Sequence, residues 1–467
     1  MHLSSEEEEN SLSLKRFESM LKTNKVLFFD SEEFEEIVLH YLDTGKTSLA
    51  KKALKLALEQ HPKSTGLRLV QVEMLVYEDK LDQAEKLLNE LYAIEPHNEE
   101  IYIQKANIYS KRDNHEKAVE LLRIALQYTD DYADVYNLIG MEYLFMDNLE
   151  LAKESFIKCL EEDIEDQTAL YNVVYCFEFL DQNAEAIEYL KTYIERNPYS
   201  EIAWHQSGRL YYGLKDYENA ITAFEYATYI DETFIGAFME KGKALERLKR
   251  YEEAIESYNR TMELDEPTSY ALLRIGKCYE KLGNKVLALK FFNRTVHEDP
   301  LLDKGWIAIT DFYVRQKNFQ KALFYVNKAI AIDNENRLYW KRYATISKTL
   351  NLYEEAEYGY RKAVEFGDYE LDTWIFWVDL LQYLGEFDSA VQTLLQASEY
   401  FPEQFEVEYR LAGLHFMLHE IEKGIFHLCN GLRLSLENHT IIEELFPAVW
   451  ERKDVQAYIA KQKKKKN

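Results

Sequence analysis

The sequence predicts an all-α fold: an array of about twelve stacked 34-residue repeats, closed at both ends by helical caps. Three observations carry that reading. Alanine recurs at a fixed step of 34 residues, at Ala50, Ala84, Ala118, Ala152, Ala186, Ala220, Ala254, Ala288, Ala322, Ala356 and Ala390, with Gly424 in the twelfth place. A period in this range is the mark of a stacked repeat array. Glycine and proline are scarce, 16 and 7 among 467 residues, as a nearly all-helical chain requires. Aromatic residues reach 14%, and many of them fall on the same lattice.

If the alanine is position 20, repeats begin at residues 31, 65, 99, 133, 167, 201, 235, 269, 303, 337, 371 and 405. Position 4 is then aromatic in Phe34, Tyr102, Tyr136, Trp204, Phe238, Trp306, Trp340 and Trp374. Position 8 is small in Ala106, Gly140, Gly208, Gly242, Gly276, Ala344 and Ala412. Position 11 is Tyr or Phe in Tyr41, Tyr109, Tyr143, Phe177, Tyr211, Tyr279 and Tyr313, and position 32 is proline in Pro62, Pro96, Pro198, Pro300 and Pro402. Small residues at positions 8 and 20 let two helices approach closely, and aromatics at 4, 11 and 24 fill the surrounding space with large buried areas. Proline at 32 stops the second helix.

This pattern resembles the tetratricopeptide repeat (TPR) over residues 31–436, and is similar to bacterial TPR-only proteins without an assigned cellular role. The resemblance implies that each repeat is a helix–turn–helix hairpin and that the array is a right-handed superhelical solenoid. Departures are few: Arg68 takes the aromatic place in repeat two, and Glu408 and Gly424 make repeat twelve degenerate. Terminal repeats are expected to be atypical because one face meets solvent.

At the N-terminus, residues 1–10 are acidic and nearly without apolar side chains, which predicts disorder. Residues 11–30 read as a cap, with Leu14, Phe17, Met20 and Leu21 on one helical face, then Val26 to Phe29, and a capping box from Asp30 and Glu33. At the other end, Ile441, Ile442, Leu445, Val449 and Trp450 predict a capping helix and Val455, Tyr458 and Ile459 a second one, within 437–460. Residues 461–467 read as a solvated, lysine-rich tail.

The net charge of −27 argues against nucleic-acid binding, which needs a basic footprint. Neither a secretory leader nor a membrane-spanning run is expected, which places the protein in the cytoplasm. The four cysteines lack CxxC spacing and read as buried, reduced thiols. Phosphate-loop, dinucleotide, HExxH and GxSxG motifs are absent, so no catalytic residue and no cofactor is assigned. His415, His419 and His427 invite a metal reading, but His415 stands at a core-aromatic position and His419 in a turn, so no metal site is assigned.

In the TPR family, helix A positions 2, 5, 6, 9, 12 and 13 face the concave groove, and the resemblance implies the same of these positions here. Over repeats one to five they carry Glu32, Glu35, Glu36, Asp43, Glu73, Glu100, Asp134 and Glu178 against Lys111. Over repeats six to ten they carry Arg209, Lys243, Arg247, Arg274, Lys277, Lys281, Lys304, Arg315, Lys341, Arg342 and Lys348 against Glu240, Glu246, Glu280 and Asp311. Before this basic strip lie Asn137, Met141, Phe145, Tyr171, Asn172, Tyr175, Phe179, His205 and Tyr212, an apolar set of interface type with asparagines able to bond an extended backbone. A concavity of one sign concentrates the opposite charge. The expected function is therefore a non-enzymatic scaffold that binds partner proteins or peptides, acidic ones at the basic strip. Internal pairing of these cations with neighbouring carboxylates is the competing reading of the strip. A self-assembling, homodimeric array is the alternative function, and the sequence leaves monomer and dimer open. The residue set with which some TPR domains clamp chaperone C-termini is missing from every run of three repeats.

Overall fold

The computed structural model describes residues 13–22, 27–265 and 268–466. Among the described residues every regular element is a helix, and none is long and apolar enough to cross a membrane. The chain divides into two compact bodies, one up to Ala237 and one from Phe238.

Each repeat is a helical hairpin. Helix A of repeat one is Ser31–Asp43 and helix B is Thr47–Gln60, and the series runs to Phe405–Met417 and Ile421–Leu434 in repeat twelve. Helix A starts on the first lattice residue except in repeat four, where Tyr132 joins one residue early; helix B always starts at position 17. All five position-32 prolines lie in the turns between repeats.

The turn between A and B repeats as strictly as the alanine. Position 15 has φ between 55° and 80° in all twelve repeats, although only Gly45, Gly283 and Gly385 are glycine there. The left-handed residue closes a Schellman motif. In repeat three the Asp113 N–H donates to the Ser110 carbonyl at 2.9 Å, and the Asn114 N–H to the Tyr109 carbonyl at 2.9 Å. The next residue then caps helix B: Asn114, Asn148, Asp216, Asn284 and Asn318 each accept a backbone N–H three residues on.

Packing inside a hairpin follows a rule of compensating sizes. The eleven lattice alanines are fully buried, at 0% exposure. Across from them, position 8 of helix A meets position 24 of helix B. A Cβ built on Gly140, Gly208, Gly242 or Gly276 would stand 2.5–2.6 Å from the ring of Phe156, Phe224, Tyr258 or Phe292. Where position 8 carries valine (Val38, Val72, Val174, Val378), position 24 shrinks to leucine (Leu54, Leu88, Leu190, Leu394). Ala106 and Ala412 are matched with Leu122 and Leu428, and Thr310 with Val326. In repeat ten Ala344 coexists with Tyr360 because Gly359 yields room, a Cβ there lying 2.9 Å from the Ala344 Cβ. The aromatic rings at position 24 thus lie over glycine or alanine at position 8, as close packing demands.

Position-4 aromatics fasten one repeat to the next. Trp204, Trp306 and Trp340 donate Nε1–H to the carbonyls of Pro198, Pro300 and Asn334 at 3.0, 2.9 and 2.7 Å, and the Tyr102 hydroxyl donates to Pro96 at 2.9 Å. All four acceptors are position 32 of the preceding repeat. Arg68, in the aromatic place of repeat two, pairs with Glu90 at 2.9 Å instead.

The ends match their expected apolar residues. Residues 13–22 are helical, and Phe17 and Met20 are buried with Phe29, Phe34, Ile37 and Tyr41. The Glu33 carboxylate accepts the Asp30 N–H at 3.0 Å, with Ser13 at 3.0 Å and Arg16 at 2.6 Å on the same group. Burial alone would raise that carboxyl; these donors hold it below its ordinary value. The stretch 1–10, expected to be disordered, and Val26 lie outside the described residues.

At the other end the expected capping helix is broken in two, Thr440–Leu445 and Pro447–Trp450, after a short 3-10 turn at Glu437–His439. Pro447 cannot continue a helix but can start one, so the chain bends at Phe446, whose ring lies over Gly413. Ile442, Phe446, Val449, Val455 and Ile459 join the core of repeats eleven and twelve. The last helix, Lys453–Lys466, runs on through the lysine run that reads as a tail in sequence.

The compensation rule predicts a rescue. Gly208→Val should cost about 1–3 kcal/mol by overpacking, and adding Phe224→Leu should restore most of it by recreating the Val174–Leu190 pair of repeat five. Equilibrium urea denaturation of both single variants and the double reads this directly; strictly additive losses would contradict the rule.

Candidate functional site

Because positions 8, 20 and 24 are committed to the interior, the remaining faces of the A helices carry what differs between repeats. In the first body two zones lie along them. Repeats one to four carry Glu35, Glu73 and Glu100, half-buried, and Asp134 at the exposed rim. Burial raises all four carboxyls above their ordinary values. The acidic neighbours add to this: Glu32 on Glu35, Asp43 on Glu73, Glu73 and Asp134 on Glu100, and Asp131 and Asp166 on Asp134.

The apolar zone comes next. Phe145, Tyr171, Tyr175 and Phe179 are exposed. Tyr175 and Phe179 form one platform with ring centroids 4.4 Å apart, and Phe145 stacks on His115 at 5.2 Å. Asn172 directs its amide to the Met141 sulfur at 3.8 Å, and the buried Asn137 Oδ1 has no donor. His205 departs from the expectation of a groove residue: it is only 9% exposed and packs between the rings of Phe234 and Phe224, at 4.8 and 5.7 Å. Tyr212 lies edge-on to Tyr217 at 5.3 Å. Arg209 is held by Gln206 at 2.7 Å and by Glu178 at 3.5 Å.

In the second body the basic residues meet carboxylates from the adjacent repeat. Arg274 donates to Glu246 at 2.7 Å, and Glu246 also accepts the Tyr258 hydroxyl at 2.7 Å. Arg315 meets Glu280 at 2.8 Å, Arg342 meets Asp311 at 3.0 Å, and Lys341 meets Glu370 at 2.6 Å and Asp368 at 3.4 Å. Lys243 lies 3.6 Å from Glu240 and over the Tyr270 ring, and Lys348 lies over Phe376. Much of the strip is thus paired internally.

It is not fully neutralised. Arg247, Arg274, Lys277, Lys281 and Arg315 line one cavity of about 420 Å³, against Glu246, Glu280 and Asp311, with Tyr251 on its wall. Lys277 is half-buried in it and makes no ion pair with any described residue. Burial, with Arg274 beside it, lowers the Lys277 ammonium below its ordinary value, while Glu246 and Asp311 pull the other way. The cavity therefore collects five of the predicted residues, whereas Lys341, Arg342 and Lys348 are not among those lining it.

A ladder that begins in this strip and runs on to repeat twelve is a feature that residue-by-residue reading of the groove misses. Arg274, Arg342 and Arg410 occupy position 6 of repeats eight, ten and twelve, and each pairs with position 9 or 12 of the repeat before: Glu246, Asp311 and Asp379. The alternation of arginine at one lattice position is visible in the sequence; its partners need the stacking.

The remaining candidate chemistry is structural. Cys159, Cys176 and Cys278 are buried, and burial pushes their thiols up to about 12, 11 and 12. Cys429 is only partly covered. His415 and His427 stack with centroids 5.3 Å apart and face Glu420 and Glu408 at 2.6 and 2.8 Å, so both are packing groups. Among the described residues no set of histidines, cysteines and carboxylates is arranged to hold a metal.

Family models described as tetratricopeptide repeat match residues 75–141, 133–163, 167–200, 202–234 and 239–302. These matches fall on the same hairpins that the structure shows. The chain is a tetratricopeptide repeat protein. Anaphase-promoting complex subunit 3 of Schizosaccharomyces pombe is 25% identical to it over 159 residues, 34% of this chain and 24% of that subunit. The likeness therefore spans about a quarter of that relative's length. Among solved structures, a chain of the APC/C hetero-tetramer Cut9-Hcn1 is similar at 13% identity and TM-score 0.37, covering 95% of this chain and 94% of its own. YrrB, described as a TPR protein with an unusual peptide-binding site, is 17% identical with TM-score 0.32, over 39% of this chain and 94% of its own. A tetratricopeptide repeat protein from Parabacteroides merdae is 16% identical with TM-score 0.40, over 54% and 98%.

In this TPR array the ladder has a measurable cost. Glu246→Gln leaves Arg274 without its counter-charge and should lose about 1–3 kcal/mol of stability, seen as a lower urea midpoint. An unchanged midpoint would mean that the pair is incidental.

Proposed function

We propose that the protein is a non-enzymatic, cytoplasmic scaffold that holds partner proteins, and that the cavity around Lys277 seats an acidic or carboxylate-bearing segment of one of them. One observation supports this above the others. Glu246, Glu280 and Asp311, the carboxylates of that cavity, each already face an arginine, yet Lys277 and Lys281 remain over. A half-buried ammonium with no carboxylate at bonding distance carries a desolvation cost that an incoming carboxylate removes. The TPR hairpin suits this role because a stack of rigid helices presents such groups without further ordering. In the first body, Tyr175, Phe179 and Phe145 offer flat apolar area to partner side chains, as interface anchors do.

The test uses a labelled glutamate-rich peptide and fluorescence anisotropy. Lys277→Glu combined with Lys281→Glu should weaken binding at least about tenfold, equivalent to about 1.4 kcal/mol. Raising the salt concentration should weaken the wild type, because the attraction is electrostatic. Equal affinity for the wild type and the double variant would remove this reading.

A further inference from the structure

Nine carboxylates at the lattice positions assigned to the groove fall into two classes. From repeat five onward, Glu178, Glu246, Glu280, Asp311 and Asp379 each have an arginine at ion-pair distance, supplied by a neighbouring repeat. Glu35, Glu73, Glu100 and Asp134 in repeats one to four have no ion pair with any described residue. The charges acting on them are carboxylates: Glu32, Asp43, Glu99, Asp131 and Asp166, besides one another. The same fold that balances five of these acids with arginine leaves the other four without a cation at ion-pair distance.

A second observation points the same way and concerns a neutral group. Gln104 lies on the same face in repeat three and is only 8% exposed. Its Nε2 donates to the Glu100 carboxylate at 2.8 Å. A carboxylate can only accept, so the amide orientation is fixed by chemistry, and Oε1 is the atom left over. That oxygen is buried without any donor, and so is the Asn137 Oδ1 in the next repeat. A buried acceptor with no donor costs on the order of 1–3 kcal/mol, and the Gln104 oxygen is one on a side chain bonded to a carboxylate that lacks a cationic partner. What this strip lacks is a positively charged N–H group. A bare metal ion fits less well, because the carboxylates do not gather into a coordinating set.

We propose that Glu73, Glu100 and Asp134, with Glu35 and the Gln104 amide, form a docking strip for a lysine- or arginine-bearing extended segment of a partner protein. Ammonium and guanidinium groups spaced along an extended chain would meet carboxylates on successive A helices, and one of their N–H groups would satisfy Gln104 Oε1. Asn137 belongs to repeat four, and the aromatic platform of Tyr175 and Phe179 to repeat five, so apolar residues next to the basic ones would find a surface there. The strip lies wholly in the first body and is opposite in charge to the Lys277 cavity, so it implies a different ligand from the one proposed above.

The experiment compares two neutralised variants of the full chain. Glu73→Gln, Glu100→Gln and Asp134→Asn together remove the strip; Glu161→Gln, Glu162→Gln and Glu195→Gln remove the same charge from exposed positions on B helices. The probe is a labelled peptide of alternating lysine and glycine, followed by anisotropy at moderate salt. The strip variant should bind at least about tenfold more weakly, and the control variant within about twofold of the wild type. Thermal unfolding guards against a misfolded variant. Removing mutually repelling charges, two of them half-buried, should raise the melting temperature of the strip variant, and the peptide should raise that of the wild type but not of the variant. Equal loss of binding in both variants would show that only the overall negative charge matters. A strip variant that melts lower than the wild type would show that these carboxylates are structural. Either result overturns the proposal.

Discussion

The structure depends on one contact: a fully buried alanine of helix B set against helix A, with glycine or alanine at position 8 wherever position 24 is an aromatic ring. That contact fixes how closely the two helices of a hairpin approach, and therefore the shape each hairpin offers to the next. Glycine beneath an aromatic ring, valine beneath leucine and threonine beneath valine are three solutions to one spatial constraint. Because a ring at position 24 is met by glycine or alanine at position 8, the repeats can differ at both of these positions and keep the same hairpin. In repeats three, six, nine and ten the position-4 aromatic also bonds the turn that ends the preceding repeat.

With the interior settled by so few positions, the outward faces of the A helices are free to vary, and they vary in a graded way. Unpaired carboxylates come first, then exposed aromatics, then arginine–carboxylate ladders with surplus lysines. The ladders and the surplus have different physical roles. Paired charges such as Arg274 with Glu246 and Arg410 with Asp379 hold neighbouring repeats in place and are no longer open to a ligand. Lys277 on one body and Glu100 on the other carry charge that the fold itself does not balance. Net charge alone, strongly negative, hides both facts.

Much of this was legible in the residues. The alanine period located every hairpin, and the groove positions carried over from the family did bring Arg247, Arg274, Lys277, Lys281 and Arg315 to one cavity. The features that residue types do not disclose have physical causes. Position 15 repeats as a conformation, a left-handed turn, and aspartate, lysine, asparagine and histidine all adopt it, so no residue type marks it. His205 occupies a groove position by number, but Phe234 from the following turn covers it. The bend at Phe446 turns on what Pro447 forbids and Gly413 permits, and Gly413 is far from it in sequence. The orphaned Gln104 oxygen depends on the absence of a donor, which only coordinates reveal.

The buried alanine and the coupling of each repeat to its immediate neighbours are the two conditions on which the fold rests. Hydrogen-exchange mass spectrometry of Ala152→Leu tests both at once. Overpacking at that site should speed exchange in repeats three to five, within the first body, while repeats nine to eleven keep wild-type protection. Unchanged protection around repeat four, or an equal loss over the whole chain, would contradict it.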